Sequence, residues 1–248
     1  KTSARIVTFG LDEGADIKGS DYQIMLLEHA PEGIEFKAKH GGEETPVKIL
    51  NALGKHQASA ALSAIAAGTC FGIKLEDAAE ALSLYSAPPG RLKLIKGIKN
   101  ALILDDTYNS SPKAAQAALE TLAEIPAKRK IAVLGDMLEL GKHTITAHRE
   151  IGEAVAGKKT DFLITVGVRA KFFAEGAIKA GFYKKNIFSF SDSTETVREL
   201  EKIIESGDLI LIKGSQGVRM EKIVEALMAE PEKASELLCR QDEAWKER

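Results

Sequence analysis

The sequence contains little cysteine and no long apolar run, and these absences exclude several classes of protein. Cys70 and Cys239 are far apart and lack CxxC spacing, which argues against a disulfide framework or a structural zinc site and favours a reducing compartment. No apolar run approaches the roughly 18 residues that a transmembrane helix needs, and residues 1–10 lack the hydrophobic stretch of a signal peptide. We therefore expect a cytoplasmic protein that does not insert into a membrane.

An excess of charge of one sign is also missing. The 34 basic and 36 acidic residues are interspersed and leave a formal net charge of -2. No broad basic face is predicted, so nucleic acid is not an expected partner. A hydrophobic content of 44% and a length of 248 residues suit a globular protein of one large or two modest domains. Small-molecule chemistry is favoured by elimination.

The usual nucleotide-binding and metal-binding motifs are absent as well. The nearest approach to a phosphate-binding loop, residues 152–159, has Lys159 where Ser or Thr should coordinate magnesium, and it ends a predicted helix instead of starting one. No GxGxxG follows a predicted strand. The histidines show no pair at zinc-ligand spacing, so a surface or core role is expected for each: they are His29, His40, His56, His143 and His148.

The first part of the chain alternates short apolar runs with glycine and proline, and it then becomes helical. Runs at residues 6–9, 22–26 and 34–38 predict an antiparallel meander. Helices are predicted over residues 55–69 and 75–84, the second with acidic residues in its first turn.

Two prolines and a glycine follow in residues 87–90 and predict a domain boundary. We place the domains at residues 1–88 and 89–248.

Beyond the boundary, compact apolar runs alternate with helical patterns, which predicts parallel βαβ units and a doubly wound, Rossmann-like α/β domain. The runs occupy residues 101–104, 131–134, 162–166, 187–190 and 209–212. Helix starts are marked by Ser111 before Pro112 and by Asp192 with Glu195 three residues later. A last helix is expected over residues 220–228, and the charged tail from Glu230 should form a solvent-facing helix.

Polar residues follow these strands at the edge where open parallel sheets bind ligands. They occupy residues 105–109, 135–139 and 213–217, and Gly167 follows the third run. Such residues could hold a ribose, a carboxylate or a phosphate. Taken singly, each has an ordinary alternative: Asp105 and Asp106 could begin a turn, and Lys213 could be a solvated charge.

Three segments together resemble signatures of the Mur ligases, the ATP-dependent peptide ligases of bacterial cell-wall synthesis. Residues 104–112 read LDDTYNSSP, residues 133–141 read VLGDMLELG, and residues 213–221 read KGSQGVRME. The second segment looks most like the branch that adds D-alanyl-D-alanine. Residues 89–91 match the hinge motif before the family's carboxyl-terminal domain, and residues 8–11 resemble a late strand of its central domain. The resemblance covers essentially the whole chain.

The resemblance implies a three-domain enzyme, of which residues 1–88 are the remainder of the central ATP-binding domain and residues 89–248 the carboxyl-terminal Rossmann-like domain. It implies that ATP phosphorylates the carboxylate of UDP-N-acetylmuramoyl-tripeptide and that the amine of D-alanyl-D-alanine attacks the acyl phosphate. The phosphate loop and the Mg²⁺ ligands are expected upstream of Lys1. This chain is then expected to be a fragment, inactive alone, with no metal ligand of its own, and the protein to be a monomer.

Site residues also follow from the resemblance, position by position. ATP contacts are expected from Arg91, Asp106, His56 and Gln57. Catalytic roles are expected for Lys213 and Asn109, and substrate contacts for Tyr108, Asn109, Asp136, Lys213 and Ser215. One departure concerns adenine: the family usually has His-Asn and a second Asn, whereas this chain has Gln57 and Ala60. A core role for His56 stays open.

Two alternatives remain at this point. The chain could come from a sister amide ligase, such as a diaminopimelate- or lysine-adding enzyme or a folylpolyglutamate synthase, which share the ATP chemistry and the hinge. It could also be a non-catalytic binding module, because it lacks the phosphate loop.

Overall fold

The computed structural model describes residues 3–28 and 30–246. Lys1 and His29, both mentioned above, lie outside the described residues. The chain forms two compact units, Lys1–Ala87 and Pro88–Arg248, and each is described by itself. The assignment of residues 1–88 to a particular domain of a longer enzyme stays a prediction.

The first unit contains a four-stranded sheet in the order β1-β2-β3-β4. Its strands are β1 (Phe9–Gly10), β2 (Ile17–Leu27), β3 (Ala30–His40) and β4 (Glu43–Leu50). β2, β3 and β4 are antiparallel, as the meander predicted. Gly41 and Gly42 both have positive φ, which suits the tight turn from β3 to β4.

The prediction is wrong for the first strand. β1 is shorter than the predicted run and pairs parallel to β2. The pairing of β1 with β2 is explained by Thr8, the residue before β1. Its backbone N–H and its hydroxyl both donate to the Asp16 carboxylate, at 2.8 and 2.7 Å. This ties the chain to the beginning of β2, where Ile17 N also donates to Thr8 O.

Two helices cover this sheet, α1 (Lys55–Cys70) and α2 (Leu75–Ser83), close to the predicted bounds. Ala58, Leu62 and Ile65 of α1 are fully buried at helical spacing. They share a core with Phe36 of β3 and Ile49 of β4. Burial of this apolar stripe is what holds the helix on the sheet, because helix propensity alone contributes little.

The second unit contains a six-stranded sheet in the order β5-β6-β10-β7-β8-β9. Its strands are β5 (Lys93–Lys96), β6 (Leu102–Asp106), β7 (Arg129–Gly135), β8 (Phe162–Val166), β9 (Ile187–Phe190) and β10 (Asp208–Lys213). All five predicted runs became parallel strands, which confirms the predicted α/β class. β5 was not predicted, because four residues with a lysine at each end give no apolar run, and it pairs antiparallel with β6.

The main helices of this unit are α3 (Pro112–Glu124), α4 (Thr144–Ala156), α5 (Lys171–Lys179), α6 (Ser193–Ile203) and α7 (Glu221–Leu227). Two of these five, α3 and α6, begin where the capping residues predicted. Ser111 Oγ accepts from Ala114 N at the start of α3. Asp192 Oδ1 accepts from the amides of Thr194 and Glu195 at the start of α6, while the Glu195 carboxylate reaches back to Ser191 N, one residue earlier than in a standard capping box.

The segment that superficially resembled a phosphate loop has a packing role. Gly152 lies within α4, where an added Cβ would stand 2.0 Å from the Phe173 carbonyl oxygen of α5. Gly176 of α5 makes the reciprocal approach to Arg149. Glycine at these two positions lets the helices pack with their backbones close together.

The prediction of one solvent-facing helix after Glu230 is wrong. The tail forms a short 3-10 turn (Pro231–Lys233) and two single-turn helices, α8 (Ala234–Leu237) and α9 (Glu243–Lys246). Ala234 and Leu238 are buried in the core of the unit, 5% and 3% exposed. Arg240 has a φ of 58°, a left-handed conformation that ends any continuing helix.

Candidate functional site

The three sequence motifs meet at the carboxyl ends of the parallel strands in the second unit. β10 lies between β6 and β7. Lys213 at the end of β10 is therefore in register with Asp106 on one side and with Leu134 on the other. Strand order, not proximity in sequence, brings these segments together.

Lys213 and Asp106 form a nearly buried ion pair at the centre of this edge. Lys213 Nζ lies 2.7 Å from Asp106 Oδ2, and the two side chains are 2% and 11% exposed. The same ammonium group donates to the carbonyl oxygen of Asn109 at 2.9 Å. The alternative in which Lys213 is a solvated charge is therefore wrong. Removing one partner of such a pair leaves an uncompensated charge, at a cost of about 3–5 kcal/mol.

Asp105, the neighbour of Asp106, points into the protein. Its carboxylate is fully buried and accepts from Gly90 N at 3.0 Å and from the amide and hydroxyl of Thr107 at 3.2 and 2.6 Å. Burial raises the pKa of Asp105 to about 6, although its hydrogen bonds act in the opposite direction. The turn-forming alternative considered for this pair therefore fits Asp105.

Tyr108 and Asn109 carry the exposed side chains of the loop after β6. Tyr108 is 46% exposed, and two cations lie near its ring centroid, the Arg91 guanidinium at 4.2 Å and the Arg240 guanidinium at 5.5 Å. The Asn109 side chain is exposed, and its Oδ1 accepts from Ser110 N at 2.8 Å. The Tyr108 ring and the Asn109 amide are thus exposed in the loop whose backbone Lys213 holds.

Asp136 and Ser215 are buried and join the strand-end loops to one another. Asp136 Oδ1 accepts from Ala170 N at 2.6 Å, and Arg169 lies 3.5 Å from Oδ2. Ser215 Oγ accepts from Leu138 N at 2.9 Å and donates to the carbonyl of Ser110 at 3.3 Å. In the structure these side chains brace loops, and their substrate contacts stay predictions.

His148 braces the same edge and was not predicted to do so. It is fully buried, its Nε2 accepts from Met137 N at 3.0 Å, and its Nδ1 lies 2.7 Å from the carbonyl oxygen of Thr144. Because a carbonyl only accepts, the proton is on Nδ1 and the imidazole is neutral. Burial lowers the pKa of His148. Its position four residues after Thr144 on a helix was the one available sequence signal.

His56 and Gln57 lie in the first unit, at the start of α1. His56 is exposed, so a core role is not supported. Gln57 is 6% exposed and lines a cavity of about 160 Å³. The other lining residues are Ile49, Ala60, Ala61, Ala64, Leu82 and Tyr85. The lining of this cavity is mostly apolar and includes two residues with polar groups, Gln57 and Tyr85.

Among residues 3–28 and 30–246, no group of three or more His, Cys, Asp or Glu side chains is placed to hold a metal ion. Within the same residues, each helix is too short or too polar to cross a bilayer.

Comparison with known proteins gives consistent matches. Residues 90–216 match the family model described as Mur ligase, glutamate ligase domain. The chain is 38% identical over 213 residues to the UDP-N-acetylmuramoyl-tripeptide--D-alanyl-D-alanine ligase of Bacillus subtilis (strain 168), covering 86% of the chain and 46% of that protein. The ligase of the same name from Escherichia coli (strain K12) is 32% identical, with 84% and 44% covered.

A similar solved structure is that of the MurF ligase from Thermotoga maritima in complex with ADP. It superposes with a TM-score of 0.75 at 26% identity, over 92% of this chain and 49% of that one. The chain thus spans about half the length of the relatives that it matches.

Proposed function

Because the chain belongs to the Mur ligase family, we propose that it is the carboxyl-terminal part of an ATP-dependent ligase that adds D-alanyl-D-alanine to UDP-N-acetylmuramoyl-tripeptide. The observation that carries the proposal is the Lys213–Asp106 ion pair, which joins the family motif at residues 213–221 to the one at residues 104–112. Ser215 Oγ accepts from Leu138 N and so joins the motif at residues 213–221 to the one at residues 133–141. The dipeptide specificity is proposed from relatives of that name and from residues 135–141.

In this proposal the Tyr108 ring, the Arg91 guanidinium and the Asp106 carboxylate contact the nucleotide. The ring of Tyr108 and the guanidinium of Arg91 offer a flat face and a positive charge, and Asp106 offers a carboxylate to ribose hydroxyls. Lys213 holds that carboxylate in one orientation through Oδ2. ATP, when bound, supplies the phosphoryl group that activates the substrate carboxylate. Mg²⁺ would be held by residues outside this chain.

The exposed amide of Asn109 is proposed to face the incoming amine and the acyl group. Lys213 Nζ donates to the backbone carbonyl oxygen of Asn109 at 2.9 Å, so a buried charge holds the backbone from which this side chain extends. Positioning of this kind accounts for much of catalysis in phosphoryl and acyl transfer, because orientation lowers the entropic part of the barrier. Lys213 then acts on the reaction mainly by holding Asp106 and Asn109.

The test is a coupled assay of the complete ligase that contains this sequence, with Asp106→Ala, Lys213→Ala and a matched control, Lys233→Ala. Lys233 also pairs with an acidic residue, Glu230 at 2.8 Å, but is 48% exposed. We expect phosphate release that requires D-alanyl-D-alanine and that falls about 100-fold or more in the two site variants, as is usual when an electrostatic contact is lost. Lys233→Ala should match the wild type.

The same assay with other amine acceptors separates the proposed specificity from that of sister ligases. Turnover that requires diaminopimelate or lysine would overturn the dipeptide assignment and leave the ligase assignment standing. Turnover by residues 1–248 alone would contradict the prediction that this chain is inactive by itself. Absence of any acceptor-dependent phosphate release from the complete protein would contradict the proposed function.

A further inference from the structure

Three consecutive carbonyl oxygens in the loop after β6 are each held by a cation. Lys213 Nζ donates to Asn109 O at 2.9 Å. Arg240 Nη1 donates to Thr107 O at 3.0 Å, and Arg240 Nη2 donates to Tyr108 O. While these carbonyls are held by the cations, the Tyr108 and Asn109 side chains are exposed. Arg240 therefore controls the part of the loop that Lys213 does not reach.

Arg240 is itself fixed by a carboxylate buried in the core of the unit. Glu221 is 1% exposed and lies 3.3 Å from Arg240 Nη1. Glu221 also pairs with Nε of Arg219, and Arg219 Nη1 donates to the carbonyl of Trp245 at 2.7 Å. The Trp245 ring lies 5.4 Å from both guanidinium groups. We call these four residues, Arg219, Glu221, Arg240 and Trp245, the arginine clamp.

Both arginines of the clamp have left-handed backbone conformations, each with a φ of 58°. This conformation is unfavourable for a residue with a Cβ and persists only where surrounding contacts impose it. The Arg240 side chain is 5% exposed, so its fork is pre-organised against the two carbonyls.

We propose that Arg240, held by Glu221, is a positioning residue that sets Tyr108 and Asn109 for the nucleotide and the incoming amine. This inference rests on the proposed function for its catalytic consequence. The bidentate fork of arginine is needed because two adjacent carbonyls must be bound at once, which a lysine ammonium cannot do with the same geometry. A residue from the tail of the chain thereby acts on the reaction without touching substrate.

A merely structural arginine is available as a matched control. Arg129 pairs with the buried Asp208 at 2.7 Å and donates to the carbonyl of Ile203 at 2.8 Å, as Arg240 pairs with Glu221 and donates to carbonyls. Arg129 lies at the beginning of β7, at the opposite edge of the sheet. Comparing Arg240→Ala and Arg240→Lys with Arg129→Ala therefore separates an effect on the position of the loop after β6 from an effect on stability alone.

The first measurement uses the complete ligase. Arg240→Ala should lower kcat/KM by about 10-fold or more, because it removes charge-assisted hydrogen bonds, and Arg240→Lys should restore part of it. Arg129→Ala should lower thermal stability while leaving kcat and KM of the folded enzyme near wild type. If Arg240→Ala keeps wild-type kcat and KM, the proposal is wrong.

The second measurement does not depend on ligase activity. Amide hydrogen exchange is measured on the 248-residue chain, at Tyr108 N, which donates to Gly90 O at 3.1 Å. We expect Arg240→Ala to speed its exchange by about 10-fold and Arg129→Ala to leave it unchanged. If exchange at Tyr108 N is faster in Arg240→Ala but the wild-type protein has no ligase activity, the proposed function is wrong and the positioning role of Arg240 stands. Unchanged exchange in Arg240→Ala would overturn the positioning role.

Discussion

The amino-terminal and carboxyl-terminal ends of the strands in the second sheet hold similar ion pairs that have different roles. At the amino-terminal edge, Arg129 meets Asp208 through two parallel bonds of 2.8 and 2.7 Å, and Asp208 also accepts from Glu205 N. At the carboxyl-terminal edge, Lys213 and Asp106 form the pair, and an exposed ring and amide stand beside it. The first pair closes a turn, whereas the second supports groups that face solvent.

Burial of a charge does not by itself identify a functional site. Both pairs have one partner that is almost fully buried. The carboxyl-terminal edge differs because its buried cations hold backbone atoms whose side chains remain exposed. An electrostatic framework beneath an exposed polar surface is what a preorganised site requires.

Truncating the cation of each pair should change stability more than any other substitution considered for these two ion pairs. Lys213→Ala and Arg129→Ala should both lower the free energy of unfolding by about 3–5 kcal/mol, because each leaves a buried carboxylate without its partner. Urea denaturation of the 248-residue chain measures this. Turnover of the complete ligase, corrected for folded protein, should be lost only in Lys213→Ala. Equal loss in Arg129→Ala would remove the distinction between the edges.

A smaller effect is expected from the pH dependence of Asp105. Its pKa in the folded protein is about 6, against an ordinary value of 3.8. Between pH 3.8 and about pH 6, Asp105 is protonated in the folded protein and ionised in the unfolded chain. The free energy of unfolding is therefore greatest below pH 3.8 and falls as the pH rises through about 6. The loss is at most about 3 kcal/mol. Nearby titratable groups are Asp106 and Cys239.

Asp105→Asn provides the control, because an amide does not titrate. The difference in the free energy of unfolding between wild type and Asp105→Asn should change from pH 4 to pH 7 in the direction that disfavours the wild type. A difference that is constant with pH would show that Asp105 is ionised in the folded protein at its ordinary pKa.

The smallest effect is expected for His148. Its pKa is lowered by burial, so below about pH 6.5 the unfolded state binds a proton that the folded state does not. Stability should therefore fall as pH decreases below that value. His148→Gln should reduce this dependence of stability on pH. NMR titration of the buried His148 imidazole should give a pKa below that of an exposed histidine. A normal titration would contradict the neutral tautomer.

Much of the second unit could be predicted from the sequence because its signals are short-range. Ser111 and Asp192 cap helices through bonds to amides two or three residues away. The apolar runs mark strands that are buried on both faces. β5 was missed because its pairing with β6, not its own composition, makes it a strand.

Of the candidate site, the sequence indicated the segments but not the direction of each side chain. Asp106 and Lys213 proved to be partners, and Tyr108 and Asn109 proved to be exposed. Ser215 turned out to be a buried brace. Arg240 was not predicted, because a single arginine in a charged tail has no local pattern that distinguishes it from a solvated residue.

Patterns in the sequence were enough to recognise the family, the α/β class, most of the strands and the capped helix starts. The sequence did not predict that β10 lies between β6 and β7, and hence that Lys213 meets a carboxylate 107 residues earlier in the chain; this follows from how the strands assemble. Nor did it predict that the tail folds back to hold the site loop through Arg240. The physical reason is range: periodicity and caps act over a few residues, whereas strand order and buried ion pairs depend on how the whole core packs.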